Sequence, residues 1–112
     1  KMLLYNDVKY LISELNIDIS AMKNICFSLM KEYDNAFLVF TVNNNNKIII
    51  NVAISKKLVQ EKNLNASKIV NEIGAHVNAR GGGQPFFAVA SGDNVIGVKA
   101  LLNHALEIIQ NL

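Results

Sequence analysis

The sequence predicts a single α/β domain: a mixed β-sheet with helices packed on it, its elements in the order β-α-β-β-α-α-β-α. Three observations lead there. A chain of 112 residues has room for one core and not two. Its composition is 51% apolar and 18% charged, which can fill that core and does not resemble a disordered chain. Strand-length apolar runs alternate with stretches whose apolar residues recur every three or four positions, the pattern of a layered sheet and helices.

The elements follow in order. Val8 to Leu15 is rich in β-branched and aromatic residues and reads as a strand, with a short turn at Asn16 to Asp18. From Ile19 to Tyr33 the apolar positions Met22, Ile25, Cys26, Leu29, Met30 and Tyr33 form one helical stripe. Asp18 or Ser20 is its expected cap. Ala36 to Val42 and Lys47 to Ile54 are apolar runs of strand length. Asn43 to Asn46 joins them as a hairpin turn, because Asn tolerates the left-handed backbone. Ser55 should cap a helix from Lys56 to Asn63. Asn65 should start another from Ala66 to Val77, with Ala66, Ile69, Val70, Ile73 and Val77 inward. The glycines at 81 to 83 are expected to end that helical region. Pro85 to Ala90 is a short strand, and Ser91 to Asn94 a turn in which Asp93 or Asn94 caps the last helix. That helix runs from Val95 to about Asn111 and buries Val98, Leu101, Leu102, Ala105, Ile109 and Leu112.

Several function classes find little support. Net charge is +2 and the pI about 8.8; this permits a nucleic-acid partner without demanding one. The single cysteine, Cys26, lies in an apolar stripe and reads as a buried structural thiol. No apolar run approaches the ~20 residues that span a bilayer, so no membrane partner is expected and the expected location is cytoplasmic. Lys1 ahead of Met2 suggests a cut-out piece of a longer chain or a processed tag. His76 and His104 read as isolated, the nine acidic residues as unpaired, and no nucleotide-binding or nucleophile motif is present. No catalytic residue and no metal site is expected within the fragment.

One segment calls for an explanation: Asn78-Ala79-Arg80-Gly81-Gly82-Gly83-Gln84-Pro85-Phe86-Phe87. Three glycines in a row cost backbone entropy. They suit positive φ, a close backbone approach or an anion cradled by bare amides. Arg80 is the chain's sole arginine, and its guanidinium suits phosphate. Phe86 and Phe87 could offer a face for a base. The same residues would also serve as a helix C-cap and turn with a core phenylalanine. Chemistry alone leaves both open.

Gly81-Gly82-Gly83-Gln84-Pro85-Phe86-Phe87-Ala88-Val89-Ala90-Ser91-Gly92 resembles the glycine-rich signature near the end of alanyl-tRNA synthetases, which in bacteria reads approximately GGGRPDMAQAGG. The form with QPFFA after the glycines is similar to synthetases of the Bacteroidetes type. The order of the surrounding elements resembles the family's C-terminal, DHH-associated domain over nearly all of residues 1–112. Gln84-Pro85-Phe86 stands where Arg-Pro-Asp is usual, and Ser91-Gly92 replaces the final Gly-Gly.

The resemblance implies a module without chemistry of its own, in a parent chain that charges tRNA(Ala) using ATP, Mg and Zn. Its implied role is to hold the tRNA elbow for the aminoacylation and editing centres in other domains of the parent synthetase, with homodimer formation as a further implied role. The expected contacts are Arg80, Gly81, Gly82, Gly83, Gln84, Phe86 and Phe87. Lys56, Lys57, Lys62 and Lys68 are candidate phosphate contacts that would otherwise form a solvated face. One alternative is the substrate-binding domain of a DHH-type oligonucleotide phosphoesterase, whose loop carries His where Gln84 stands. Another is a dimerisation module using exposed Ile96, Leu106 or Ile108.

Overall fold

The computed structural model describes residues 2–112. Strand β1 (Leu3–Tyr5) is followed by β2 (Val8–Leu15), α1 (Ile19–Glu32), β3 (Ala36–Asn44), β4 (Lys47–Ile54), α2 (Lys56–Lys62) and α3 (Ala66–Gly74). A 3-10 turn (Ala75–Val77) leads to β5 (Arg80–Gln84) and β6 (Phe87–Gly92). A second 3-10 turn (Val95–Gly97) opens α4 (Val98–Gln110). The six strands form one sheet in the order β1-β2-β3-β4-β6-β5. Among the described residues only the β2–β3 pair is parallel, as expected where a helix connects the two strands. All eight predicted elements are present, and β1 and β5 are added.

The sheet has two faces, and period-two alternation assigns side chains to them. Ile48, Ile50, Val52 and Ile54 of β4 join Ala88 and Ala90 of β6 in a cluster with residues of α2, α3 and α4. On the opposite face Leu38, Phe40, Ile49 and Ala53 pack against Met22 and Cys26 of α1. The predicted α1 stripe holds at those two residues and at Leu29, Met30 and Tyr33, which pack partly buried against the same cluster; Ile25 is instead 38% exposed.

The Asn tract makes a two-residue hairpin loop. Asn45 and Asn46 take φ of 54° and 68°, the paired positive values that a right-twisted hairpin favours. Asn43 Oδ1 accepts from the Asn46 amide at 2.9 Å.

The expected caps differ in outcome. Asn65 Oδ1 accepts from the amides of Ser67 (2.9 Å) and Lys68 (3.3 Å), as a helix start requires. Neither Asp18 nor Ser55 makes a side-chain capping bond, and Ser20 lies inside α1. Ser55 is buried, accepts from the Ala36 amide at 3.0 Å and donates to the Tyr33 carbonyl at 2.6 Å. It thus ties the end of α1 to the start of β3. Asp93 and Asn94 do not cap either: Asp93 accepts from the Asn78 side chain (3.3 Å) and Asn94 donates to the His76 carbonyl (3.2 Å).

The glycine run holds the main correction. It is not a turn after a helix but edge strand β5, paired antiparallel with β6 from Arg80↔Ser91 to Gln84↔Phe87. A Cβ on Gly81 would strike the Val89 carbonyl and the Ala90 Cα, and one on Gly83, whose φ is 157°, would strike the Phe87 carbonyl. Glycine here permits close strand approach. On its outer side Gly81 donates to Asn71 Oδ1 at 3.1 Å, and its carbonyl accepts from Asn71 Nδ2 at 2.8 Å. The α3 side chain therefore stands in for a missing neighbouring strand.

Candidate nucleic-acid interface

The β5–β6 hairpin carries most of the predicted contacts, and it sends them to different places. At its open end, Arg80 and Gly81 border a groove of about 740 Å³ with Asn71, Ala75, Asn78 and Ala79. Arg80 is exposed there, and Asn78 holds the left-handed conformation (φ 60°) that turns the chain into β5. Polar amides and one guanidinium suit a phosphate or the polar edge of a base.

The closed end of the hairpin is Pro85-Phe86. Two backbone bonds fix it: the Ala66 amide donates to the Pro85 carbonyl, and the Ile54 amide to the Phe86 carbonyl, both at 2.8 Å. Phe86 is thereby set beside the start of α2, and Lys56 Nζ sits 4.7 Å from its ring centre. The two line a second groove of about 540 Å³ together with Phe27, Met30, Lys31, Asp34, Ser55 and Lys57. Lys57 meets Asp34 at 3.5 Å, with both side chains largely exposed. Such a pair contributes ~0–1 kcal/mol, so Lys57 can exchange Asp34 for another anion at small cost.

Phe87 lies partly buried on the α1 face, its ring centre 4.8 Å from that of Phe27 at an interplanar angle of 41°. Phe27 is 40% exposed and Val89 38%. Alternation puts Val89 on the same sheet face as Phe87, with Ala88 and Ala90 on the other. Aromatic surface bordered by lysines is the surface on which unpaired or terminal bases stack while phosphates meet cations.

The structure thus brings Lys56, Lys57, Phe86 and Phe87 together and leaves Arg80 with the glycines at the far end of the hairpin. Gln84 is exposed on the last residue of β5. Lys68 belongs to neither group. It borders a third groove of about 620 Å³ with Glu72, Pro85 and Ile108 among others. Lys62 ends α2 and is exposed. For dimerisation, only Ile96 is highly exposed, at 88%, and it precedes α4. Leu106 and Ile108 are partly buried, Ile108 against the main core.

Sequence reasoning missed Phe27 and Lys31. Lys23, Phe27 and Lys31 recur every four residues, which puts them on one helix face, and Lys23 Nζ lies 6.0 Å from the Phe27 ring centre. That stripe is readable in the sequence, but Phe27 falls outside the apolar stripe by which the helix is recognised. His76 and His104 are also corrected: they are not isolated but hydrogen-bonded to each other at 3.0 Å, and Glu72 pairs with His104 at 2.8 Å. Among the described residues no group of three or more His, Cys, Asp or Glu is arranged to hold a metal ion, and no helix is long and apolar enough to cross a membrane.

Residues 7–111 match the DHHA1 domain family. The chain is 38% identical over 105 residues to an alanine–tRNA ligase of Christiangramia forsetii and 34% identical to one of Flavobacterium psychrophilum, in each case over 94% of this chain. It spans 12% of the length of those relatives. The solved structure of the C-Ala domain from Aquifex aeolicus alanyl-tRNA synthetase shares its fold, with a TM-score of 0.86, 98% of both chains covered and 18% identity. The chain belongs to the DHHA1 domain family, in the form carried by alanine–tRNA ligases.

Proposed function

We propose that this chain is the non-catalytic tRNA-binding domain of a longer alanyl-tRNA synthetase. It takes the elbow of tRNA(Ala) and holds the molecule for the aminoacylation and editing centres of the other domains. Those domains, with their ATP, Mg and Zn, are its partners in the cytoplasm. The observation that carries the reading is the groove floored by Phe27, Met30 and Phe86 and rimmed by Lys31, Lys56 and Lys57. An elbow presents loop bases above closely spaced phosphates, and recognition of such RNA rests on stacking and backbone contacts. The lysines supply the second and the rings the first. Arg80 and its polar groove offer a separate backbone contact at the other end of the hairpin.

The test is binding of tRNA(Ala) to the chain across a salt series. Affinity should fall steeply as salt rises, with a log–log slope set by the number of phosphates neutralised. No binding even at low salt would overturn the reading for this domain.

A further inference from the structure

Glu72, His104 and His76 form a hydrogen-bonded chain that the proposed RNA contacts do not use. Glu72 Oε2 lies 2.8 Å from His104 Nε2, and His104 Nδ1 lies 3.0 Å from His76 Nε2. The ring centres are 5.2 Å apart and the planes meet at 80°. The difference between 5.2 and 3.0 Å is about two ring radii, so the two nitrogens face each other nearly head-on, as in a hydrogen bond. Two ligands of one metal ion would instead converge on a point ~2.0–2.1 Å from each nitrogen.

The carboxylate decides where the protons sit. Glu72 accepts, so His104 carries its proton on Nε2. Neutral His104 then has a bare Nδ1, and His76 must donate from Nε2. His76 Nδ1 is left open. The cavity beside the pair, about 360 Å³, is lined by His76, Ala100, Asn103, His104 and Glu107. The charged groups facing the rings are thus Glu72 from α3 and Glu107 from α4. The segment before α4 contributes the Asn94 amide, on the His76 carbonyl. Among the described residues no lysine or arginine lines this cavity.

Adding protons one at a time gives two different results. The first goes to His76 Nδ1 and keeps the His76–His104 bond, now charge-assisted. The second must go to His104 Nδ1. Two N–H groups then oppose each other across 3.0 Å with no acceptor between them, on two cationic rings whose centres are 5.2 Å apart.

His76 belongs to the 3-10 turn that delivers Asn78 and Arg80 to their groove, whose wall includes Ala75. We propose that Glu72, His104 and His76 are a proton-operated latch: it pins this turn, and with it the Arg80 groove, to α4 until the pair takes up its second proton.

Ring 15N–1H NMR of the chain, titrated from about pH 8 to about pH 4.5, brackets the ordinary histidine range and tests the latch. At the upper end both histidines should be single Nε2–H tautomers. As protonation of the pair completes, the His76–His104 hydrogen bond should be lost, and the backbone amides of Asn78 and Arg80 should move with that loss. In His104→Gln the coupled amide shifts should disappear. Mixed tautomers at high pH in the unsubstituted protein, or Asn78 and Arg80 amides that do not move when the His76–His104 bond is lost, would overturn the proposal even if the variant does not fold.

Discussion

Gly81, Gly82 and Gly83 are adjacent and alike in sequence, yet they stand under different constraints. The backbone of β6 occupies the space a Cβ would need at Gly81 and Gly83, whereas at Gly82 a Cβ would meet only Ser67 Oγ, at 3.3 Å. Backbone cannot move aside, but a serine hydroxyl can rotate. Gly81→Ala and Gly83→Ala should each destabilise the fold by ~3 kcal/mol or more, through lost β5–β6 pairing, and Gly82→Ala by under ~1 kcal/mol. Denaturant unfolding of the three variants checks the order; equal losses would refute it. Cys26 gives a second residue-scale prediction. Burial pushes its thiol up to about 12, while the Asn51 amide, lying nearby without a full hydrogen bond, pulls weakly the other way. An acid whose folded value is raised binds its proton more tightly folded than unfolded. Its contribution is therefore fully present below the ordinary thiol value of 9.0 and is lost as pH climbs from there towards about 12. Stability measured across that window should fall in the native sequence and less so in Cys26→Ala. The buried thiol was legible from spacing alone. The unequal glycines were not, because nothing local reveals which strand lies alongside.

At the scale of elements, Ser55 joins three pieces of structure through one hydroxyl. It is 3% exposed and holds the Tyr33 carbonyl and the Ala36 amide. Ser55→Ala leaves the buried Ala36 amide and the part-buried Tyr33 carbonyl without that partner, which costs ~1–3 kcal/mol. Asn65→Ala, which removes an ordinary helix cap, should cost ~1 kcal/mol. Thermal unfolding compares them, and a Ser55→Ala loss no larger than that of Asn65→Ala would argue against a bridging role. From the sequence both looked like the same device, a polar residue ahead of a helix; only the arrival of Tyr33 and Ala36 in space separates them. The missed strands have a similar cause. β1 is three residues long and exposed, too short for alternation to register. β5 is mostly glycine, which favours neither strand nor helix, and its pairing comes from β6 and Asn71 rather than from its own side chains. The β3–β4 hairpin, by contrast, carried its turn chemistry in its own residues.

Across the whole molecule, Arg80 and Gly81 line one groove and Lys56, Lys57 and Phe86 another, at opposite ends of one hairpin joined by a five-residue strand that spans ~17 Å at ordinary rise. That distance covers several nucleotides, so one RNA surface can meet both ends while each remains separately removable. Grouping Arg80 with Phe86 by proximity in sequence merged two ends that a strand holds apart, and leaving out Phe27 hid the partner that α1 supplies to Phe87. The division makes a prediction that a single loop-shaped site does not. Phe27→Ala should weaken tRNA(Ala) binding by ~1–3 kcal/mol, the range for loss of one aromatic stacking face, and leave the salt slope nearly unchanged. Lys56→Ala and Arg80→Ala should each weaken binding and lower the slope by about one phosphate. Because Lys56 and Arg80 lie at separate ends with no shared partner, their effects should add in the double variant. Lys68→Ala, facing the third groove, should change neither affinity nor slope beyond its share of net charge. Titrations of these variants at two salt concentrations separate the cases. If Lys68→Ala weakens binding as much as Lys56→Ala, or Phe27→Ala has no effect, the RNA lies elsewhere on the domain.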